Sequence, residues 1–482
     1  MFIHRPQLGS HECVMESWDV IVIGAGPSAQ RAAIASHDSG AKTVMIHQAP
    51  GTITPASVAG LATSLGETSP ESHIEDTMGL GDLGLNEATI RRICSSSVEI
   101  VAELEQWGMI FRRDDSGMPH LSEAPGHKSS RLSGAGDSTN RYVTKILDEQ
   151  LLKRALQRRQ SNVPLSLIMD NGQVRGLVTL DLLDGEVKAF QCKSVILACE
   201  GYQGLWTSIS AGSGNAIALA IRAGIEPQRI TDIPFHPMVI RGTSIPIPYE
   251  VLSAGGRYRS ESGDDIDPLT NEHDAVIDLR FIEKEELPWL ESIRKVILDS
   301  TGLNISVDVI PVAHGVIHTT GGLPVDELGR VTMEDGEMWA TGVFAAGPSA
   351  STGFHGSKIL PGNLLLANLS TGATTGHEAG NWAKNCQFGG TKLILEGLED
   401  SRKMIGNLNS EDGISVGSAE ARIMNQAKSF LSGEISAESF VETGKEVSNS
   451  VRTTTPTGVM NQEIASALRI IDLGTIVSSI PL

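Results

Sequence analysis

Two groups of residues in this sequence are suited to chemistry: a run of small residues spaced to hold a phosphate, and a scatter of histidines with polar neighbours. The run is Gly24-Ala25-Gly26-Pro27-Ser28-Ala29. Gly24 permits a tight turn, Gly26 lets a pyrophosphate approach the backbone, and Ala29 is small enough for the next helix to pack close. That helix starts at Ser28 and points its N-terminal N–H groups at phosphate oxygens. The scattered group comprises His236 between Phe235 and Pro237, Glu250 after Tyr249, His318, His355 and Lys358. Taken singly, these read as ordinary: a histidine between Phe and Pro as structural, isolated charges as solvated.

The elements that position the small residues are legible. After Asp19, Val20 to Ile23 are four consecutive branched apolar residues, a strand buried on both faces as in a parallel sheet. A helix over 28–39 follows, Gly40 ends it, and Thr43 to His47 is a second buried strand. This βαβ context turns a weak glycine motif into a specific dinucleotide signal. Gly51 to Gly66 is rich in small residues, the composition of backbone lying close to a ligand. Asn86 caps a helix running to about Trp107, and an amphipathic helix spans about 141–159. Asn171-Gly172 joins strands 165–169 and 174–182 in a hairpin. Another buried strand covers 194–198, and an Ala-rich helix begins at Ser213-Gly214-Asn215. From about 241 to 311 Pro, Gly and charge dominate, with one helix over 283–300, which marks an inserted domain. Strand-into-glycine recurs at 338–347, and 391–482 is helical in pattern.

Bulk properties bound the class. At 482 residues the chain exceeds one core and implies two or three domains. Its 40% hydrophobic and 20% charged content is globular. A net charge of −20 argues against nucleic acid and against direct contact with anionic membranes. Five cysteines without a C-x-x-C pair speak against disulfides and against an iron–sulfur cluster held within the chain. No apolar run approaches the ~20 residues of a membrane span, and residues 1–17 lack a signal-peptide core. No metal site is indicated. The expected location is the cytoplasm, where partner subunits can hold the protein against the inner face of a membrane.

Several segments, in order, carry a family likeness: Val20 to Ala29, Gly136-Asp137 ahead of a helix, Phe235-His236-Pro237, Tyr249-Glu250, Gly321-Gly322, and Phe354-His355-Gly356 with Gly362-Asn363. With them the chain resembles the flavoprotein subunit of succinate dehydrogenase and fumarate reductase, in the superfamily that includes L-aspartate oxidase. The likeness runs from Trp18 nearly to the end. It implies an α/β fold: a Rossmann-like FAD-binding domain over 18–240 and 321–385, a small α+β capping domain inserted at 241–320, an N-terminal extension over 1–17 and a C-terminal helical region over 386–482. It also implies hydride transfer between a C4 dicarboxylate and flavin N5, with electrons passed to a separate iron–sulfur subunit.

By position, the resemblance assigns Gly24, Gly26, Ser28 and Ala29 to the pyrophosphate, Gln48 to the adenosine ribose, and Ser57 and Gly60 to the loop beside the flavin ring. Asp137 would contact FAD. Asn363, Leu364 and Leu365 would meet the pyrimidine edge of the flavin at a helix N-terminus. His236 and Glu250 take positions for substrate binding and proton relay, and His355 matches the histidine of the family's H-G-x-N-R-L-G run. The departures are specific. Ala56 stands where a histidine often bonds FAD covalently, so noncovalent FAD is expected. Pro348 replaces a glutamate offered to the ribose. Ile359 replaces a substrate-clamping arginine, with Lys358 beside it, and Ile317 replaces a histidine, with His318 next. The insertion is short, and the segment for a proton-donating arginine is missing. Arg241, Arg257, Arg259, His318 and Lys358 are the candidate replacements. A soluble L-aspartate oxidase-like flavoenzyme and an FAD-binding subunit without dicarboxylate turnover remain open beside the first reading.

Overall fold

The structure is a computed structural model describing residues 15–48, 59–81, 84–333, 336–409, 412–454 and 462–482. An eight-stranded mixed sheet organises it. β1 (Glu16–Ile23) lies between β2 (Thr43–Ile46) and the long strand Val187–Leu197, parallel to both. Val20 to Ile23 are fully buried, which is why that run is continuously apolar rather than alternating. Gln157–Arg159 extends the sheet beyond β2, and Met338–Ala345 pairs in parallel with the carboxyl half of Val187–Leu197. The register brings Ile23, Ile46, Leu197 and Ala345 to one edge. Everything just past them, from Gly24 to Ala346, sits where a doubly wound sheet opens its crevice.

The hairpin Asn162–Asp170 and Gln173–Asp181 is antiparallel, with Asn171 at φ 50° and Gly172 at φ 75°. Both central residues have positive φ, which Asn-Gly tolerates best. Helix α1 (Pro27–Asp38) connects β1 to β2 as expected. Three helix expectations are corrected. The helix from Asn86 breaks at Ser96 into Glu87–Ser95 and Ser97–Gln106. The one over 141–159 is Thr139–Lys153 instead; Ala155 turns to φ 50° and the next residues join the sheet. The one over 283–300 begins only at Glu291, after a tight turn through Leu287–Leu290.

A second sheet of four antiparallel strands, in the order Arg257–Ser260, Ala275–Asp278, Ile310–Val316, Phe235–Ile240, packs with the helix Glu291–Thr301 as a small α+β layer. Its core is separate, around Met238, Ile277, Ile297 and Val312. The small sheet therefore begins at Phe235. The C-terminal helices Lys392–Asn407, Val416–Leu431, Ala437–Ser450 and Gln462–Ser478 do not form a detached tail. Ile394, Leu398, Leu473 and Ile476 share the main core with Ile21, Leu177 and Leu219. No helix among the described residues is long and apolar enough to cross a membrane.

Candidate active site

Two helix N-termini without side-chain caps define the site. α1 starts after Gly26 and the helix Asn363–Lys384 starts after Gly362; neither has a capping side chain. Their free N–H groups and positive dipole ends favour anions and electron-rich atoms. Gly24 has φ +130°, and a Cβ there would overlap the Ala198 carbonyl. A Cβ on Gly26 would meet nothing within 4 Å, so the space before α1 is open. Ala29 is fully buried beneath the helix.

The two helices lie parallel, backbone against backbone. Gly372, Gly376 and Gly380 face the carbonyls of Ser28, Ala32 and Ser36, and a Cβ at any of them would collide. Gly372 lies opposite Ser28, so the second helix projects about eight more residues, roughly 12 Å at 1.5 Å per residue, beyond the start of α1. The result is a stepped pair of positive ends over one cavity. That cavity is lined at one side by Pro27 and at the other by Gly362, Leu364 and Leu365. A second cavity adjoins it and shares His318, Leu364 and Asn368. An elongated molecule with a pyrophosphate at the first helix end and an electron-accepting ring at the second fits this cradle.

His236, on the strand Phe235–Ile240, donates Nε2–H to the Ile247 carbonyl at 3.0 Å and meets the Tyr249 ring edge-on at 4.9 Å. His318 lines both cavities, and its Nε2 has no partner. His355 lines the second cavity and stacks obliquely on Phe354. Desolvation pushes His236 and His318 down to about 4 and His355 to about 3, so all three imidazoles are neutral near pH 7. Asn140 also lines the main cavity with an unpartnered Oδ1.

Glu250 opens the short helix Glu250–Ser253 and points away from the main cavity. It lines a separate pocket with Arg112, His120 and Glu286. Its Oε1 accepts a very short bond from the Gly60 N–H, and Oε2 has no partner. Burial pushes this carboxyl up to about 7. Gly60 itself lines the main cavity, so one peptide separates the two spaces.

Other expected residues are placed differently. The Asp137 carboxylate accepts from Ile293 N–H at 2.7 Å and from Ser138 Oγ, tying the core to the first turn of the helix Glu291–Thr301. Asn363 is fully buried; its side chain bonds His73 and Thr77, and only the backbone turn around it serves the cavity. Lys358 is exposed and donates to the Leu269 carbonyl at 2.8 Å. Gln48 follows β2, half-buried. Ser57 and Ala56 lie outside the described residues. Sequence reasoning missed a buried network beneath Gly362: Arg131 pairs with Asp76 at 2.8 Å, while His73 and His127 hold Asn363 and the Pro361 carbonyl. Its only trace in sequence is the i, i+3 pair His73 and Asp76 on one helix face.

This arrangement defines a flavin-dependent oxidoreductase architecture: a doubly wound sheet, a stepped pair of helix ends and a small lid sheet over one crevice. Comparison makes the class specific. The FAD binding domain family matches residues 19–266 and 290–365, and the chain belongs to it. It is 26% identical over 410 residues to the succinate dehydrogenase flavoprotein subunit of Rickettsia bellii, covering 74% of this chain and 68% of that protein. It is 28% identical over 327 residues to L-aspartate oxidase 2 of Ralstonia nicotianae, covering 61% and 59%. The fold superposes on E. coli quinol fumarate reductase FrdA with a TM-score of 0.85 at 20% identity, over 96% of this chain and 88% of that one. The protein is an FAD-binding oxidoreductase related to the succinate dehydrogenase and fumarate reductase flavoproteins.

Proposed function

We propose that the chain binds FAD noncovalently along the two stepped helix ends and exchanges a hydride with an organic substrate held in the main cavity. The observation that carries this reading is the pair of uncapped, parallel N-termini opening on one crevice. Bound there, FAD supplies the two-electron chemistry. The protein's residues do the rest. Gly24, Gly26, Ser28 and Ala29 would hold the pyrophosphate, and Gln48, at the end of β2, would serve the ribose. The backbone N–H groups of Leu364 and Leu365 would face the ring and favour negative charge on it, while the Asn363 N–H donates to the Leu360 carbonyl at 3.1 Å. His236 is fixed by the Ile247 carbonyl and Tyr249 and presents its imidazole to the substrate. His318 and His355 flank the same space. Glu250 lies in the neighbouring pocket with His120 and Arg112, and its Oε1 holds the Gly60 peptide that forms part of the main cavity's wall.

Electrons leave through a separate iron–sulfur subunit in this reading. The described cysteines are free and dispersed, and the described residues hold no cluster of three or more metal-ligating side chains. A soluble oxidase of the L-aspartate oxidase type is the second reading, favoured by Ala56 in place of a flavin-bonding histidine. Among the described residues, no lysine or arginine lines either cavity, where the C4 dicarboxylate implied by the family resemblance would sit. The test is reconstitution. The purified protein titrated with FAD should turn yellow at one flavin per chain and release all of it on acid precipitation. A protein that stays colourless refutes the reading; flavin retained in the acid pellet refutes the noncovalent part.

A further inference from the structure

The cluster beneath Gly362 holds more polarity than stability requires. Arg131 and Asp76 pair at 2.8 Å with side chains 0% and 1% exposed. Ser72 Oγ also accepts from Arg131 at 3.0 Å, and the Lys128 backbone N–H donates to Asp76 at 3.1 Å. Yet Arg131 Nε and Nη1 and Asp76 Oδ1 have no partner. A buried pair left this incomplete contributes little to folding, because its charges lose more hydration than the contact returns. The nearby Lys128 and Glu75 side chains pair with each other at the surface.

Two histidines join this pair to the wall of the main cavity. His127 donates Nε2–H to the Pro361 carbonyl at 2.9 Å, and His73 donates Nε2–H to Asn363 Oδ1 at 2.8 Å. Asn363 Nδ2 in turn donates to Thr77 Oγ1 at 3.0 Å. Between the two contacts lies Gly362, at φ +85°, packed so tightly that a Cβ would overlap Ala62 and Leu132. Pro361 and Gly362 line the cavity, and the helix that begins with Asn363, Leu364 and Leu365 follows. Both histidines are pushed down to about 4, chiefly by desolvation, with Arg131 lowering and Asp76 raising each. They are neutral near pH 7, so among the described residues the charge of this cluster resides on Arg131 and Asp76. The opposed fields of that pair reach both sides of the turn.

We infer that the Arg131–Asp76 pair sets the midpoint potential of the bound flavin, and that His73 and His127 are positioning residues that lock the turn presenting Leu364 and Leu365 to the ring. This rests on the flavin reading above. Reduction places negative charge on the ring, and nearby protein charges tune how readily it does so. Arg131 favours that charge and Asp76 opposes it. In a dry interior neither is screened as it would be at the surface. The pair holds the potential between the values that either charge alone would give.

The midpoint potential of the FAD-loaded protein is measured by anaerobic dye equilibration for the native chain and for Asp76→Asn, Arg131→Gln and Ser72→Ala. Asp76→Asn keeps an acceptor for Arg131 and removes the opposing charge, so the potential should rise. Arg131→Gln should lower it. Each shift should correspond to roughly tenfold in the ratio of reduced to oxidised FAD affinity, the scale of one buried unit charge, which is about 30 mV for a two-electron couple. Ser72→Ala removes a hydrogen bond from the same guanidinium without changing charge and should leave the potential where it is. Shifts of one sign in both charge variants, or an equal shift in Ser72→Ala, mark a structural role and overturn the inference. Should Arg131→Gln fail to fold, Asp76→Asn against Ser72→Ala decides alone. His127→Phe cannot donate to Pro361 and should weaken FAD binding about fivefold in a fluorescence titration; unchanged affinity overturns the positioning part. A yellow protein whose charge variants keep the native potential refutes the inference and leaves the flavin reading standing. A protein that takes up no FAD overturns both.

Discussion

The Glu250→Gln variant tests whether this carboxyl is held near neutrality by burial. The native group is raised from an ordinary 4.5 to about 7 by desolvation, against the lowering effect of the Gly60 N–H. A raised carboxyl keeps its proton in the folded chain after the unfolded chain has released it. Folded protein therefore binds more protons between pH 4.5 and 7, and stability falls as pH rises through that window. A displacement of about 2.5 units at 1.36 kcal/mol each sets the full penalty at about 3 kcal/mol, reached above pH 7. Glutamine keeps the carbonyl that accepts from Gly60 and cannot ionise. The variant should match the native protein near pH 4.5 and exceed it by about 2 kcal/mol at pH 6 and about 3 kcal/mol at pH 8. The buried histidines act in the opposite sense below pH 6.5, and taking the difference between variant and native cancels them. Urea unfolding at a series of pH values measures the difference, and infrared spectroscopy of the protonated carboxyl band reads the titration directly. A flat difference across pH 4.5 to 8, or a carboxyl band that disappears by pH 5, refutes the reasoning.

Other expectations concern the cradle and its supports. Gly24→Ala should cost about 1–3 kcal/mol from its positive φ, more from the overlap with Ala198, and abolish FAD retention, read by thermal unfolding and flavin content. Gly376→Val should prise α1 from the helix Asn363–Lys384 and weaken FAD binding while circular dichroism shows the sheet intact; unchanged affinity would mean the helix spacing does not matter. Asp76→Ala should destabilise by about 3–5 kcal/mol by stranding the fully buried Arg131, whereas Lys128→Ala, whose partner Glu75 is exposed, should cost under about 1 kcal/mol.

What could be read in the sequence was local. The run Val20 to Ile23, the glycines after it and the Asn171-Gly172 turn are each specified by backbone requirements that only a few residue types meet. What escaped depended on distant partners. Residues 157–159 continue a helical pattern, yet an open sheet edge beside β2 pulls them into a strand. Asp137 sits before a helix in a nucleotide-type motif, but its carboxylate serves Ile293, 156 residues away. Lys358 lies next to Ile359 in sequence and faces the other way in space. The direction of the Glu250 side chain, and hence its raised pKa, follows from where Gly60 and Ser133 fall, which no local pattern encodes.

The shared core has a consequence for biogenesis. Ile21 and Ile476 belong to one apolar cluster, about 450 residues apart along the chain. At synthesis rates of about 5–20 residues per second, the strand that carries the phosphate turn waits roughly 20–90 s for the helix that covers its sheet. During that interval the sheet face that Ile21 shares with Leu177 and Leu219 lacks part of its apolar cover, whereas the lining of the crevice, which ends at Thr371, has already been made.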